Sequence, residues 1–134
     1  MEREECHLFV YGSLLEPACL AGVLGHPHQG ERLRAQLAGY RRVTLDGYPY
    51  PFLVPAADGV VDGVLLEDLT PDELRRLDEY EEVDQGVYRR IQAEVEAWTC
   101  GPRPLRRQAW TYIGGTQLAR CASSHPASAP WPSV

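Results

Sequence analysis

The chain has 134 residues, which is the length of one domain. Its formal net charge is -6, which does not indicate the clustered basic surface that binding to a nucleic-acid backbone requires. No apolar run reaches the roughly 18 residues of a membrane span, and the first residues, MEREEC, are charged with no apolar segment behind them. We therefore expect a cytoplasmic protein with neither nucleic acid nor a membrane as partner.

The chain is predicted to form a single domain over residues 1–120. Residues 121–134, CASSHPASAPWPSV, carry no charge and no periodicity, so we expect a poorly ordered tail there. The four cysteines show no CxxC spacing, and neither a zinc site nor a redox motif is indicated. We expect no metal site.

Taken in chain order, the elements begin with CHLFVY, a continuous apolar run that is typical of a strand buried on both faces. EPACLAGVLG follows as a short helix, with Pro17 in its first turn and Gly25 just past its end. GYPYPFLVP contains three prolines and is predicted to be an edge strand or an extended loop. Further strands are predicted in LAGYRRVTL, VVDGVLLEDL, VYRRIQAEVEAW and RRQAWTYI. Several strands with few helices indicate an α+β domain.

The second helix is predicted in LTPDELRRLDEYEE, which begins with a capping box. Thr70 is the expected N-cap, Pro71 takes the first helical position, and Glu73 follows three residues after the cap. At about 100° per residue, Glu81 falls within about 20° of Leu74, and Glu82 lies about 80° away. Glu81 is therefore predicted on the leucine face.

A carboxylate on a buried helix face must be hydrogen-bonded, be protonated or have a functional role. With a raised pKa, Glu81 would be a candidate general acid or base. The alternative is that the helix ends by Tyr80, so that Glu81 belongs to a solvated turn. Periodicity by itself leaves both interpretations open.

The segment YGSLLEP joins the end of the first strand to the start of the first helix. Successive backbone NH groups at such a junction can point into one concavity, where the helix dipole adds positive potential. Gly12 permits close approach of the backbone, and Ser13 adds a hydroxyl donor. The segment lacks the glycines and lysine of a phosphate loop, so a carboxylate-sized ligand is favoured. The alternative is an ordinary turn without a ligand.

In combination, these segments resemble a known family. FVYGSLL near the N-terminus, GYRRVTLDGYPYPFLVP, and VDGVLLEDLTPDELRRLDEYEEVDQGVYRR are similar to the γ-glutamylcyclotransferase-like family, in particular its small branch with YGSL loops. The similarity extends over roughly residues 7–115 in order, and YGSL followed by LD-x-Y-E and then Y-x-R is a specific combination. It implies a small mixed β-barrel with flanking short helices.

The resemblance also implies a reaction and the residues that carry it. Family enzymes convert a small γ-glutamyl compound to 5-oxoproline and a free amine without metal or cofactor, an acyltransferase or lyase chemistry in which the substrate's α-amine attacks its own γ-carbonyl. By this resemblance Glu81, in LDEYE, is the general acid/base, although Glu82 stands where the family has a small residue. The resemblance places substrate binding at the turn and at two tyrosines, which are Tyr11, Gly12, Ser13, Leu14, Tyr88 and Tyr112.

A departure from the family pattern after the serine leaves other functions open. Enzymes of the family that act on free γ-glutamyl amino acids tend to have Asn after the serine, whereas Leu14 stands here. The same fold could serve as a non-catalytic module that binds a small molecule or a partner, or as a hydrolase that uses water in place of the α-amine. For the tyrosines the alternative is a purely structural role in the barrel.

We expect the protein to be a monomer or a weak dimer.

Overall fold

The structure is a computed structural model that describes residues 6–45, 48–99 and 101–115. The tail predicted at residues 121–134 lies outside the described residues. The strands are β1 (Cys6–Val10), β2 (Arg32–Leu45), β3 (Tyr48–Leu69), β4 (Tyr88–Trp98) and β5 (Leu105–Gly114). The helices are α1 (Pro17–Leu24) and α2 (Pro71–Tyr80), and two short 3-10 turns cover Ser13–Leu15 and Val83–Gln85.

The five strands close into a small mixed barrel in the order β1-β3-β2-β4-β5. All neighbours are antiparallel except β1 and β5, which run parallel and meet where Leu8 pairs with Trp110. The α+β class and the small mixed barrel with flanking helices are therefore confirmed.

Strand β1 is apolar on both faces because it separates two layers of core. Leu8 and Val10 belong to the cluster that packs against the leucines of α1 and α2, while Phe9 and Tyr11 belong to the cluster that fills the barrel. Successive side chains of a strand point to opposite sides. The strand is thus buried on both faces, as its sequence predicts.

The long strands β2 and β3 differ from their predicted bounds. β2 begins at Arg32, five residues before the predicted segment, because Arg32 already pairs with Leu66 of β3. The two segments predicted separately as GYPYPFLVP and VVDGVLLEDL form one strand of 22 residues, β3. Their register with β2 shifts between Ala38 and Tyr40, where Gly39 has φ +89°.

The proline-rich half of β3 keeps the character of an edge. In the described ladder, residues 48–55 pair with β2, and pairing of β3 with β1 involves only residues 64–69. Pro55 stands opposite Tyr40 in this one-sided pairing. Proline is tolerated there because it has no ladder bond to donate on the second side.

Helix α2 begins as predicted. The side chain of Thr70 accepts a hydrogen bond from the amide of Glu73 at 3.1 Å, and the Thr70 amide donates to the Glu73 carboxylate at 2.8 Å. Leu74 and Leu77 are buried against the barrel. The helix ends at Tyr80, which fixes where the chain leaves the barrel wall.

Candidate active site

A cavity of about 240 Å³ opens where the end of β1, the turn after it, the end of α2 and the start of β4 meet. All seven residues singled out from the sequence line it, although they come from four separate segments of the chain. Within the described residues, its lining contains no Lys, Arg or His. The lining residues are Phe9, Val10, Tyr11, Gly12, Ser13, Leu14, Pro51, Tyr80, Glu81, Glu82, Tyr88 and Tyr112.

The turn after β1 is a 3-10 turn and not the first turn of α1. The Leu15 amide donates to the Gly12 carbonyl at 2.9 Å, and the Glu16 amide donates to the Ser13 carbonyl at 3.1 Å. The amides of Ser13 and Leu14 come before the first of these bonds, so the turn itself does not use them. The backbone donors at the cavity therefore come from this 3-10 turn, whereas the sequence pointed to the helix start.

Two contacts hold the turn in place. Arg42 donates from Nη1 to the Tyr11 carbonyl at 2.6 Å, which ties the end of β1 to β2. A Cβ atom built on Gly12 would lie 3.2 Å from Cγ of Pro51, closer than an ordinary van der Waals contact. A side chain at position 12 would therefore force Pro51 or the turn to shift by a few tenths of an ångström, which favours glycine there.

Glu81 caps the C-terminal end of α2, one residue beyond the helix. Its amide still donates to the Leu77 carbonyl at 2.9 Å, so the last turn keeps the helical phase that places it on the leucine face. Glu81 is half-buried, and desolvation of its carboxylate by burial raises its pKa from 4.5 to about 7. The alternative of a solvated turn is right about the end of the helix and wrong about the carboxylate.

Glu82 differs from its neighbour in backbone and environment. Its φ is +54°, in the left-handed region that non-glycine residues seldom adopt. The residue is exposed at the rim of the cavity. A positive φ turns the chain sharply after Glu81, so the two adjacent carboxylates have different surroundings.

Three of the four tyrosines that line the cavity donate hydrogen bonds to the protein itself. The Tyr11 hydroxyl donates to the Tyr112 carbonyl at 2.5 Å, and the Tyr88 hydroxyl donates to the Pro51 carbonyl at 2.9 Å. The Tyr112 hydroxyl donates to Oδ1 of Asp78 at 2.8 Å. All three side chains thus have a structural role in the barrel in addition to lining the cavity.

Sequence reasoning missed three side chains that shape the site. Tyr80 reaches from the end of α2 to the turn, where its hydroxyl lies 3.2 Å from Oγ of Ser13. Asp78 lies about 40° from Leu74 on the helical wheel, and this position beside the leucine face was the available signal. Arg42 is one of two adjacent arginines in β2. No local sequence pattern indicates its contact with the Tyr11 carbonyl.

The arrangement combines a desolvated carboxylate with backbone donors and tyrosine hydroxyls in a small cavity. It can exchange a proton near neutral pH and can hold a small polar or zwitterionic ligand. In the ranges that the structure describes, no group of three or more His, Cys, Asp or Glu is placed to hold a metal ion. None of the described helices has the length and apolar character needed to span a membrane.

Comparison with known proteins places this geometry in a family. The family described as gamma-glutamyl cyclotransferase, AIG2-like, matches residues 8–133. Protein AIG2 C of Arabidopsis thaliana is 32% identical over 116 residues, which are 79% of this chain and 69% of that protein. AIG2-like protein C of the same plant is 42% identical over 77 residues, 58% of this chain and 44% of that protein. The chain thus spans less than half of the length of this second relative.

The fold agrees with the sequence match. A protein of Arabidopsis thaliana whose structure is known in solution superposes with a TM-score of 0.69 at 29% identity. The superposition covers 85% of this chain and 71% of that one. The chain belongs to the gamma-glutamyl cyclotransferase, AIG2-like family.

Proposed function

We propose that the protein is a γ-glutamyl cyclotransferase, which releases 5-oxoproline and a free amine from a small γ-glutamyl compound without a cofactor. The observation that carries the proposal is the half-buried Glu81, whose pKa is raised to about 7 by burial, in the same cavity as the Gly12–Leu14 turn. A carboxylate poised near neutral pH suits a reaction that needs both a base and an acid.

The proton transfers of ring closure can be carried by one residue. The α-amine of the substrate is an ammonium at neutral pH and must lose a proton before its nitrogen attacks the γ-carbonyl carbon. The bond from that carbon to the departing nitrogen then breaks, and the departing nitrogen must gain a proton. Glu81 accepts the first proton and donates it to the leaving amine. The attacking nitrogen loses a second proton when it becomes the lactam NH, and this proton goes to the released amine, which leaves as an ammonium, so that neither water nor an external acid is consumed.

The rest of the cavity would hold the substrate in a reactive conformation. The amides of Ser13 and Leu14 and the Ser13 hydroxyl are the donors for a carboxylate or for the developing oxyanion. Tyr11, Tyr88 and Tyr112 form walls around the glutamyl chain and bring the amine close to the carbonyl. Holding two reacting groups in contact can contribute several kcal/mol to the lowering of the barrier.

The size of the cavity favours a small substrate. Its volume of about 240 Å³ lies below the roughly 300–1,000 Å³ of pockets for drug-sized ligands. A γ-glutamyl group with a short amine fits this space, and a longer amine would extend past Glu82 toward solvent.

The proposal is tested with purified protein and a panel of γ-glutamyl amines, γ-glutamyl dipeptides and glutathione. We expect 5-oxoproline and the free amine in equal amounts from at least one member, and no 5-oxoproline when Glu81→Gln replaces the wild type. Free glutamate in place of 5-oxoproline would indicate a hydrolase that uses water. Binding without any product would favour the non-catalytic module.

The cytoplasmic location, the monomeric or weakly dimeric state and the domain boundary at residue 120 stay predictions. Size-exclusion chromatography with light scattering would measure the oligomeric state directly. Limited proteolysis would report whether cleavage starts after residue 120.

A further inference from the structure

A network of four side chains lies behind the cavity and connects α2 to two strands of the barrel. Oδ1 of Asp78 accepts the Tyr112 hydroxyl at 2.8 Å and lies 2.8 Å from Nε of Arg90. Cζ of Arg90 in turn lies 4.2 Å from the ring centroid of Trp110. The mechanism proposed above uses Tyr112 only as a wall and assigns no role to Asp78 or Arg90.

The barrel register makes this network rigid. Arg90 of β4 and Tyr112 of β5 are direct cross-strand partners, and Trp110 stands two residues from Tyr112 on the same face of β5. The side chains of Asp78 and Arg90 are each 26% exposed, so their ion pair is largely removed from water. The backbone of Tyr112 is fixed as well, because its carbonyl accepts the Tyr11 hydroxyl.

This network determines what the Tyr112 oxygen can do. A phenol has one proton to donate and lone pairs to accept with, and here the proton is directed at Asp78. Burial, followed by the hydrogen bond to Asp78, raises the pKa of the Tyr112 phenol above its usual range, so the proton stays on the oxygen. Toward the cavity, the hydroxyl can therefore act only as an acceptor.

We infer that Asp78, held by Arg90, is a positioning residue that makes Tyr112 an acceptor for the cationic nitrogen of a ligand in this cavity. The chemistry of the cavity agrees, because its lining among the described residues offers carboxylates and hydroxyls but no cationic side chain. Glu81 and Tyr112 both line the cavity, and the inference places the ammonium between them. The inference rests on the proposed function for the identity of that nitrogen, which is the α-amine of the γ-glutamyl group.

The test compares two probes that differ only in the α-amine and that cannot cyclise. L-methionine sulfone carries a sulfonyl group in place of the γ-amide, and 4-(methylsulfonyl)butanoate is the same molecule without the amine. Binding of each probe to the full chain is measured by NMR titration, which gives the preference of the protein for the amine. A merely structural role for Asp78 would change both affinities together and leave this preference unaltered.

We expect the wild type to prefer L-methionine sulfone, and Tyr112→Phe to reduce the preference about tenfold, the usual scale for losing a hydrogen bond to a charged group. Asp78→Leu, which removes the acceptor of the Tyr112 hydroxyl, should reduce it similarly, and the double variant should lose no more than Tyr112→Phe does, because the two residues act in series. Glu94→Gln, which alters an exposed ion pair with Arg106 on the same sheet, should leave the preference unchanged. If Asp78→Leu does not fold, Asp78→Ala takes its place with the same expectation.

Equal affinity of the wild type for both probes would overturn the inference, as would an unchanged preference in Tyr112→Phe or Asp78→Leu, or additive losses in the double variant. These results are distinguishable from a failure of the proposed function. A preference that depends on Tyr112 and Asp78, in a protein that forms no 5-oxoproline, would refute the cyclotransferase and leave the positioning role intact. Formation of 5-oxoproline with an unaltered preference would refute only the positioning role.

Discussion

The cavity is bounded by two turns that contribute in different ways. The turn at Gly12–Leu14 contributes backbone donors, which depend on the path of the chain and on the absence of a side chain at Gly12. The turn at Glu81 and Glu82 contributes side-chain carboxylates, whose properties depend on what surrounds them. Adjacent glutamates can therefore differ in function when one is turned toward the barrel and the other toward solvent.

The sharpest way to test this difference is to change each glutamate in turn. Glu81→Gln should lower the rate of 5-oxoproline formation by about 10²–10⁴-fold, the usual contribution of general acid–base catalysis. Glu82→Gln should retain activity within about threefold on the same scale, because its exposed carboxylate lies at the rim. Rates are measured by chromatographic detection of 5-oxoproline.

Glu79→Gln serves as a matched control, since Glu79 is exposed on α2 and pairs with Arg75 outside the cavity. It should behave as the wild type. Equal losses in the Glu81 and Glu82 variants would show that the two adjacent carboxylates do not differ in function.

The pH dependence should separate Glu81 from ordinary surface carboxylates. Its folded pKa of about 7 lies above the unfolded value of 4.5, so its contribution to stability is fully present below 4.5 and is lost as the pH rises through 7. Glu81→Gln should therefore match the wild type in free energy of unfolding near pH 4.5 and exceed it above pH 7. Urea denaturation at a series of pH values measures this difference.

The same ionisation should shape the activity. The value of kcat/KM for the wild type should rise as the pH increases through about 7, because the base form of Glu81 is required. If the difference in free energy of unfolding between the wild type and Glu81→Gln does not vary with pH, the Glu81 carboxylate is solvated.

The backbone role of the first turn is tested at Gly12. Gly12→Ala adds a methyl group about 3.2 Å from Cγ of Pro51, which must displace either the turn or the strand. We expect KM to rise about tenfold, the effect of losing one good backbone hydrogen bond to a charged group. Kinetics on the most active panel member provide the measurement.

Gly22→Ala is the matched glycine control, because nothing lies within 4 Å of a Cβ at that position in α1. It should leave KM unchanged and raise the free energy of unfolding by about 0.5–1 kcal/mol, since alanine is the better helix former. An unchanged KM in Gly12→Ala would contradict the expectation that the close contact with Pro51 favours glycine in the turn.

The smallest effect is expected from the backbone at Glu82. Glu82→Gly removes a side chain from a residue with φ +54°, and we expect stability to rise by about 0.5–1 kcal/mol because glycine adopts this conformation without steric cost. Glu79→Gly, inside α2, should instead lower stability by about 1 kcal/mol. Thermal unfolding measures both variants. Shifts of the unfolding midpoint with the same sign in Glu82→Gly and Glu79→Gly would contradict backbone strain at Glu82.

Much of the frame could be predicted from local patterns. The burial of β1, the start of α2 at Thr70 and the end of α1 at Gly25 follow from periodicity and capping, which act over a few residues. The 22-residue strand β3 could not be predicted as one element, because its prolines are tolerated only by virtue of the one-sided pairing with β2. That pairing is a property of the barrel.

The candidate site shows the same division between local and distant causes. Glu81 and the YGSL turn were found from helical phase, turn chemistry and family resemblance. Tyr80, Asp78 and Arg42 were not found, because their roles arise from contacts with partners 67, 34 and 31 positions away in the chain. No local pattern carries information about such partners.

The sequence by itself determined which chemical groups are present, that position 81 is in helical phase with the leucine face of α2, and where the first turn has a glycine that permits close approach of the backbone. Only the tertiary structure decided that these groups share one cavity and that the Glu81 carboxylate has a pKa near 7. The physical reason is that desolvation and hydrogen-bond geometry depend on every atom packed around a group. Those atoms come from strands and helices far apart in the chain.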